Sequence, residues 1–280
     1  MRLFGLFLSY LPLRVFYGFS DFLAYVLRLV LRYRKEVVES NIVAAFPDLS
    51  RHEKLIIIKK FYRHFSDVLL ETIQLFAFRK DFLTKRIQLE NPEFFERMHA
   101  EGKSLVAVGG HTGNWEWLGT ALAKISGYTT LAAYRPLANH RADRLMKKIR
   151  TQLGTHLIPS QQIYRAVLKA QTPVLVYLIA DQAPHPEQAY WMNFLGRDTP
   201  VFWGPEKIAR SKEFVVVYLA MQRLKRGHYL ITIKEADNAL MFSGDGEITE
   251  WHAKQLEQEI RKTPEAWLWS HKRWKHTRMK

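Results

Sequence analysis

The chain has 280 residues, of which 48% are hydrophobic and 25% charged, enough apolar material for one large core. It contains no cysteine, which excludes disulfides, thiolate metal sites and a cysteine nucleophile. Lys and Arg number 42 against 27 Asp and Glu, and the resulting formal charge of +15 favours polyanionic partners: nucleic acid, an anionic membrane surface or an acidic carrier protein.

Residues 3–31 are dense in Leu, Phe, Val and Tyr, but Pro12, Arg14, Asp21 and Arg28 break them up. No run of 18 apolar residues results, and no small-residue cleavage site follows. Arg28, Arg32, Arg34 and Lys35 close the segment with positive charge. The pattern predicts a helix, or a pair broken at Pro12, that dips into a bilayer with its cations at anionic headgroups; a single marginal span or a buried helical hairpin are the alternatives. Residues 34–46 predict a helix ending before Pro47. Ser50 and Glu53 have capping-box spacing. They open an amphipathic pattern through Leu55, Ile58, Phe61, Tyr62, Phe65, Val68, Leu69 and Ile73 that fades near Phe78.

From residue 104 onward the signals alternate. Strands are expected at 104–108, 129–133, 155–158 and 173–179, and helices at 114–125, 141–153 and 161–170. A loop-rich stretch covers 181–203, followed by a helix to about Lys212. Strands at 214–221 and 228–234 and a helix at 248–261 precede an aromatic, basic tail whose composition allows mobility. The expected fold class is α/β, a mostly parallel central sheet flanked by helices, with antiparallel strands late in the chain. Residues 1–35 form the membrane-associating segment and 36–280 the α/β domain.

His111 follows a predicted strand and the pair Gly109-Gly110. Functional groups of open α/β sheets gather at the carboxyl ends of strands, and paired glycines let a substrate approach the backbone. His111 and Glu116 would diverge on one continuous helix, so a turn is needed between them, and Thr112-Gly113-Asn114 has turn chemistry. Asn114 or Thr112 then caps the following helix. Glu116 in its first turn reaches back to one imidazole nitrogen, leaving the other to take a proton from a hydroxyl. Asp181 and Gln182 follow another strong strand and reach the same rim if the sheet is parallel there. Asp181 is expected to orient another site residue.

The stretch Gly110-His111-Thr112-Gly113-Asn114-Trp115-Glu116-Trp117 resembles the His-x4-Asp/Glu motif of glycerolipid acyltransferases, and most closely the bacterial lipid A biosynthesis (lauroyl/myristoyl) acyltransferases. Asn41 to Phe46-Pro47, Tyr134-Arg135-Pro136 with Asn139, Asp181-Gln182, Asn193-Phe194-Leu195-Gly196 and the run from Trp267 to Lys275 stand in that family's order. The resemblance implies transfer of a fatty acyl group from acyl carrier protein to a hydroxyl of a membrane glycolipid. His111 would be the general base and Glu116 its orienter. Arg135 would meet phosphate or the oxyanion, with Asn114, Asp181 and Gln182 as further substrate-binding residues. It implies no metal and no cofactor beyond the acyl carrier protein thioester. The implied location is the cytoplasmic face of a bacterial inner membrane, with a peripheral or singly anchored chain. Another lipid acceptor, such as an aminolipid or a phosphatidyl glycolipid, would suit the same residues.

No Gly-x-x-x-x-Gly-Lys-Ser/Thr, Gly-x-Gly-x-x-Gly or His-Glu-x-x-His motif occurs. The principal non-enzymatic alternative is nucleic-acid binding, because Trp267, Trp269 and Trp274 interleave with Lys272, Arg273, Lys275 and Arg278 as stacking platforms do. The basic residues are nevertheless spread along the chain and no nucleic-acid module is legible, so no nucleic-acid partner is expected. A non-catalytic lipid-binding scaffold is a third alternative, one in which His111 would be dispensable.

Overall fold

A computed structural model describes residues 11–75, 82–170 and 173–278. Residues 3–10 of the apolar segment and the end of the long helix near Phe78 lie outside these. The first helix among the described residues, α1 (Leu13–Tyr25), runs into a π-helical turn at Val26–Val30. Helix α2 (Lys35–Ala45) and helix α3 (Arg51–Gln74) follow. The start of α3 is fixed by the expected capping box: Ser50 Oγ accepts the Glu53 N–H at 3.3 Å, and Glu53 Oε2 accepts the Ser50 N–H at 2.7 Å.

The seven-stranded sheet contains β1 (Ile87–Leu89), β2 (Leu105–Gly109), β3 (Thr129–Tyr134), β4 (His156–Pro159), β5 (Val174–Ile179), β8 (Val215–Lys225) and β9 (His228–Glu235), in the order β1-β9-β8-β2-β5-β3-β4. From β8 to β4 every neighbouring pair is parallel. Strand β9 returns antiparallel to β8, and the short β1 joins β9 in parallel. A separate antiparallel hairpin, β6 (Ala189–Phe194) with β7 (Arg197–Phe202), occupies most of the stretch expected to be loop. Its turn, Leu195-Gly196, has φ of 52° and 77°.

The central strands are apolar throughout because helices cover both faces. Leu105 and Ala107 pack with Trp117, Leu118, Ala121 and Leu122 of helix α5 (Trp115–Ser126) and with Phe94, Phe95 and Met98 of helix α4 (Glu93–Ala100). Val106 and Val108 point the other way, toward Ile163 and Val167 of helix α7 (Ile163–Leu168), Ile208 and Ala209 of helix α8 (Gly204–Lys212) and Ile248 of helix α9 (Glu247–Lys262). Helix α6 (His140–Thr151) connects β3 to β4.

Polar contacts seat α1 on α3. Tyr17 donates to Glu71 Oε1 at 2.8 Å and Ser20 to Asp67 Oδ1 at 2.6 Å. Arg223 and Arg226, at the end of β8 and its turn, reach Asp67 Oδ2 at 3.0 Å each. The opposite side of this region exposes Phe19, Phe22, Tyr25, Leu29, Val30 and Leu31. Among the described residues no helix is long and apolar enough to cross a membrane.

Candidate active site

The register of two parallel strands builds the site. Gly109 of β2 lies opposite Ile179 of β5. Both chains run two residues beyond that pair, which brings His111 and Asp181 to the same point on the sheet's carboxyl rim. His111 Nδ1 is 2.6 Å from Asp181 Oδ1, and the His111 backbone N–H donates to Asp181 Oδ2 at 2.7 Å. The Trp267 indole donates to the same Oδ2 at 2.8 Å. Burial of Asp181 would raise its carboxyl pKa, but the His111 ring, the His111 N–H and the Trp267 N–H outweigh burial and hold it at about 2. The carboxylate is therefore an acceptor at neutral pH. Nδ1 is thus the donor to Oδ1, and Nε2 faces the groove, with Gln182 Nε2 3.4 Å away. Trp115 sets its ring edge-on to the imidazole with centroids 5.4 Å apart.

Each residue of the turn after His111 is tied to a different element. The His111 carbonyl accepts the Leu268 N–H at 3.1 Å. The Thr112 side chain hydrogen-bonds Glu259 of α9. His64 of α3 donates from Nε2 to the Gly113 carbonyl at 2.9 Å. Asn114 accepts the Trp117 N–H at 3.0 Å as the α5 cap and donates to Glu71 Oε2 at 2.6 Å. Gly113 is sterically required here: at φ +54° it would bring a Cβ within 2.3 Å of the Met221 carbonyl oxygen, whereas a Cβ at Gly110 would meet only the movable end of Leu256, at 2.5 Å from Cδ1.

Glu116 lies in the first turn of α5, as its spacing predicts, but the imidazole takes its carboxylate from Asp181. Glu116 instead forms a two-pronged pair with Arg150 of α6, Nε to Oε2 at 2.9 Å and Nη2 to Oε1 at 2.6 Å. The physical reason is competition: Asp181 is anchored by three donors beside the ring, while a guanidinium from the neighbouring helix offers Glu116 a planar, fully matched partner. Asn114, expected at the substrate, is fully buried and spends both amide atoms on the protein. Asp181, expected both at the substrate and as the orienter of another site residue, is 5% exposed and hydrogen-bonded to His111 and Trp267, a placement that fits the second expectation.

Arg135 and Gln182 do line the open groove. This cavity of about 430 Å³ is bounded by His111, Glu116, Arg150, Arg135, Gln182, Tyr134, His271 and Lys275. Its volume lies in the range of organic-ligand sites. Arg150, His271 and Lys275 were not singled out from the sequence as site residues. His271 Nε2 accepts the Ala183 N–H at 3.2 Å, and burial, with help from nearby Arg273, holds the ring down at about 4, so it is neutral. The tail that supplies it is strapped to α2: Asn41 donates to the carbonyls of Trp269 and His271 at 2.9 Å each, and Arg34 to that of Ser270 at 2.9 Å. Trp267 and Trp269 are buried in this packing, so their faces are not a platform for bases. Among the described residues no group of three or more His, Asp or Glu side chains gathers to hold a metal ion.

A hydroxyl entering this groove would meet an imidazole whose Nε2 has only a long 3.4 Å contact with the Gln182 amide, backed by a carboxylate, among several cations. That is the equipment for acyl transfer to an alcohol. The sequence profile described as bacterial lipid A biosynthesis acyltransferase matches residues 2–276. A "Lipid A biosynthesis acyltransferase" of Haemophilus influenzae (strain ATCC 51907 / DSM 11121 / KW20 / Rd) is 23% identical over 237 residues, covering 82% of this chain and 72% of the relative. Profile, relative and site agree, and the chain belongs to the bacterial lipid A biosynthesis acyltransferases.

Proposed function

We propose that this acyltransferase moves a fatty acyl chain from acyl carrier protein to a hydroxyl of a lipid A precursor, with His111 as general base and Asp181 as its orienter. The observation that carries this reading is the Asp181-held imidazole opening onto the cation-lined groove. His111 Nε2 takes the hydroxyl proton as the oxygen attacks the thioester carbonyl. The new C–O bond forms, the C–S bond breaks, and the imidazolium returns its proton to the departing thiolate. Arg135, Arg150 and Lys275 supply positive charge for the acceptor's phosphates and for the oxyanion of the tetrahedral intermediate. Asp181 and Trp267 need only hold the ring.

Both substrates suit the chain's electrostatics. An acidic carrier protein and an anionic glycolipid are each drawn by a charge of +15. The exposed apolar side chains of α1 and its π-helical turn, followed by exposed Arg32, Arg34 and Lys35, form a surface suited to lie in a bilayer interface. We assign the reaction to the cytoplasmic face of the bacterial inner membrane, where a soluble carrier and a membrane glycolipid meet. Nucleic acid has no part in this reading.

Glu116 receives a new role: it fixes the Arg150 guanidinium in the groove. Glu116→Gln is expected to lower transfer roughly tenfold or more while leaving the acid limb of the pH–rate profile in place, because the His111–Asp181 pair is untouched. A displaced acid limb would instead restore Glu116 as the partner of the imidazole. The function as a whole is tested by presenting the purified full chain with acyl carrier protein thioesters, and in parallel coenzyme A thioesters, together with a panel of lipid acceptors. Mass spectrometry should find one acyl chain added to the lipid A precursor from the carrier-bound donor. Preference for coenzyme A, or for an acceptor without the lipid A saccharide, would overturn this assignment.

A further inference from the structure

Spread though the cations are, the acids are not. From Trp117 to Ala180 the chain has nine Lys and Arg against one Asp, so this stretch supplies more than half of the formal charge of +15. It builds α5, β3, α6, β4, α7 and β5, the β4 side of the sheet. The charge is densest on α6. Met146 and Ile149 turn inward to the core, and Arg141, Arg144 and Lys148, spaced i, i+3 and i+7, form one exposed stripe on the outer side of the helix. The single acid, Asp143, is already engaged: its Oδ1 accepts the Leu137 N–H at 3.0 Å, and Lys147 Nζ lies 2.9 Å from Oδ2. Among the described residues no acidic side chain pairs with Arg141, Arg144 or Lys148.

The stripe borders the groove. Tyr134 to Leu137, the segment that leads into α6, line its wall, and the last turn of α6 sends Arg150 into it. The bond from Leu137 to Asp143 ties that wall to the helix. The apolar surface suited to a bilayer lies elsewhere. Helix α1, with Phe19, Phe22 and Tyr25 exposed, is held through Asp21 by Arg226 in the turn after β8, whereas α6 joins β3 to β4 on the other side of β2. No large apolar side chain of α6 is exposed. A cationic helix without an exposed apolar face fits a folded acidic surface better than the boundary of a bilayer, where apolar side chains must insert.

We propose that the stripe of Arg141, Arg144 and Lys148 is the docking surface for acyl carrier protein, whose acidic face lies along α6 while its thioester arm enters the groove past Arg135. The two substrates then reach His111 from different sides of the sheet, the glycolipid from α1 and the carrier from α6. This rests on the reading of the donor as a carrier-bound thioester. Charges at the rim of an interface act on encounter and on its salt dependence, so the effect falls on the KM for the donor and spares the chemical step at saturation.

The experiment compares Arg144→Glu/Lys148→Glu with Lys103→Glu/Lys212→Glu in the full chain. Each reverses two exposed cations, but Lys103 and Lys212 precede β2 and β8, at the amino ends of the strands and away from the catalytic rim. Transfer from acyl carrier protein thioester to the lipid A precursor is measured at low and moderate salt, with the unfolding midpoint of each preparation. The α6 pair is expected to raise the KM for the carrier thioester about tenfold or more, to leave kcat and the acceptor KM within about twofold, and to flatten the salt dependence seen in wild type. The control pair should change the same KM by less than about threefold. If the α6 reversal lowers the midpoint, Arg144→Gln/Lys148→Gln is read in its place, with an increase of about threefold or more expected. Equal increases in the α6 and control pairs would mean that net charge, not this stripe, attracts the donor. No increase in the α6 pair would place the carrier on another surface. Weaker binding of that pair to phosphatidylglycerol vesicles, with the donor KM unchanged, would give the stripe to the membrane. Each of these three results overturns the proposal. Wild-type transfer from coenzyme A thioesters and not from the carrier would instead overturn the choice of donor.

Discussion

Asp181→Asn is expected to remove most of the general-base contribution, lowering transfer by roughly 10²–10⁴-fold in a protein that still folds. The reason lies in how many donors the carboxylate serves. Oδ2 accepts both the His111 backbone N–H and the Trp267 indole N–H, and Oδ1 accepts from His111 Nδ1. An amide has one oxygen, and the two donors at Oδ2 claim it. The amide NH₂ then faces Nδ1, forces it to be an acceptor, and drives the ring proton to Nε2. The nitrogen facing the groove is left with a proton already on it and no lone pair for the hydroxyl. Nitrogen NMR of the ring should show this change of tautomer alongside the rate loss. Wild-type transfer by a folded Asp181→Asn protein would make the carboxylate a structural cap.

The second large effect is on stability. Glu71 is fully buried in α3 and accepts from Tyr17 of α1 at 2.8 Å, Asn114 at 2.6 Å and Tyr229 of β9 at 2.7 Å. Glu71→Ala strands three buried donors, each costing about 1–3 kcal/mol, so a loss of about 3–5 kcal/mol is expected once the surroundings relax. In thermal unfolding this is a drop on the order of 10 °C. Glu71→Gln keeps one oxygen for Asn114 and Tyr229, while the Tyr17 hydroxyl can rotate to accept from the amide. Its cost should stay within about 1 kcal/mol. Equal midpoints for Glu71→Ala and wild type would mean that this network does not tie α1 and the catalytic turn to α3.

Much of this architecture is written locally. Apolar runs such as Leu105-Val-Ala-Val marked the buried central strands, and the Ser50–Glu53 spacing marked the start of α3. The placement of His111 at a strand's end followed from the same signals. Its carboxylate partner was legible only in part: Asp181 is expected on the same rim as an orienter, but which residue it orients depends on the pairing of Gly109 with Ile179, 70 residues apart, and the spacing alone favours the nearby Glu116. Glu116 is near in sequence, but local spacing carries no information about Arg150 on the next helix. The β6–β7 hairpin was missed for a different reason. Its turn places Leu195 at positive φ, where Asn or Gly would have announced it. The tail's composition says little about its packing: its tryptophans alternate with cations as stacking platforms do, yet Trp267 and Trp269 pack inward and Trp267 donates to Asp181.

The most direct measurement is the rate of acyl transfer by His111→Ala, taken with the unfolding midpoint of the same preparation. A variant that melts with wild type and transfers at least 10²–10⁴-fold more slowly, by roughly the full worth of a general base, is the predicted result. Transfer at the wild-type rate by that folded variant would contradict the account at its centre, since the proton of the attacking hydroxyl would then have been taken by another group.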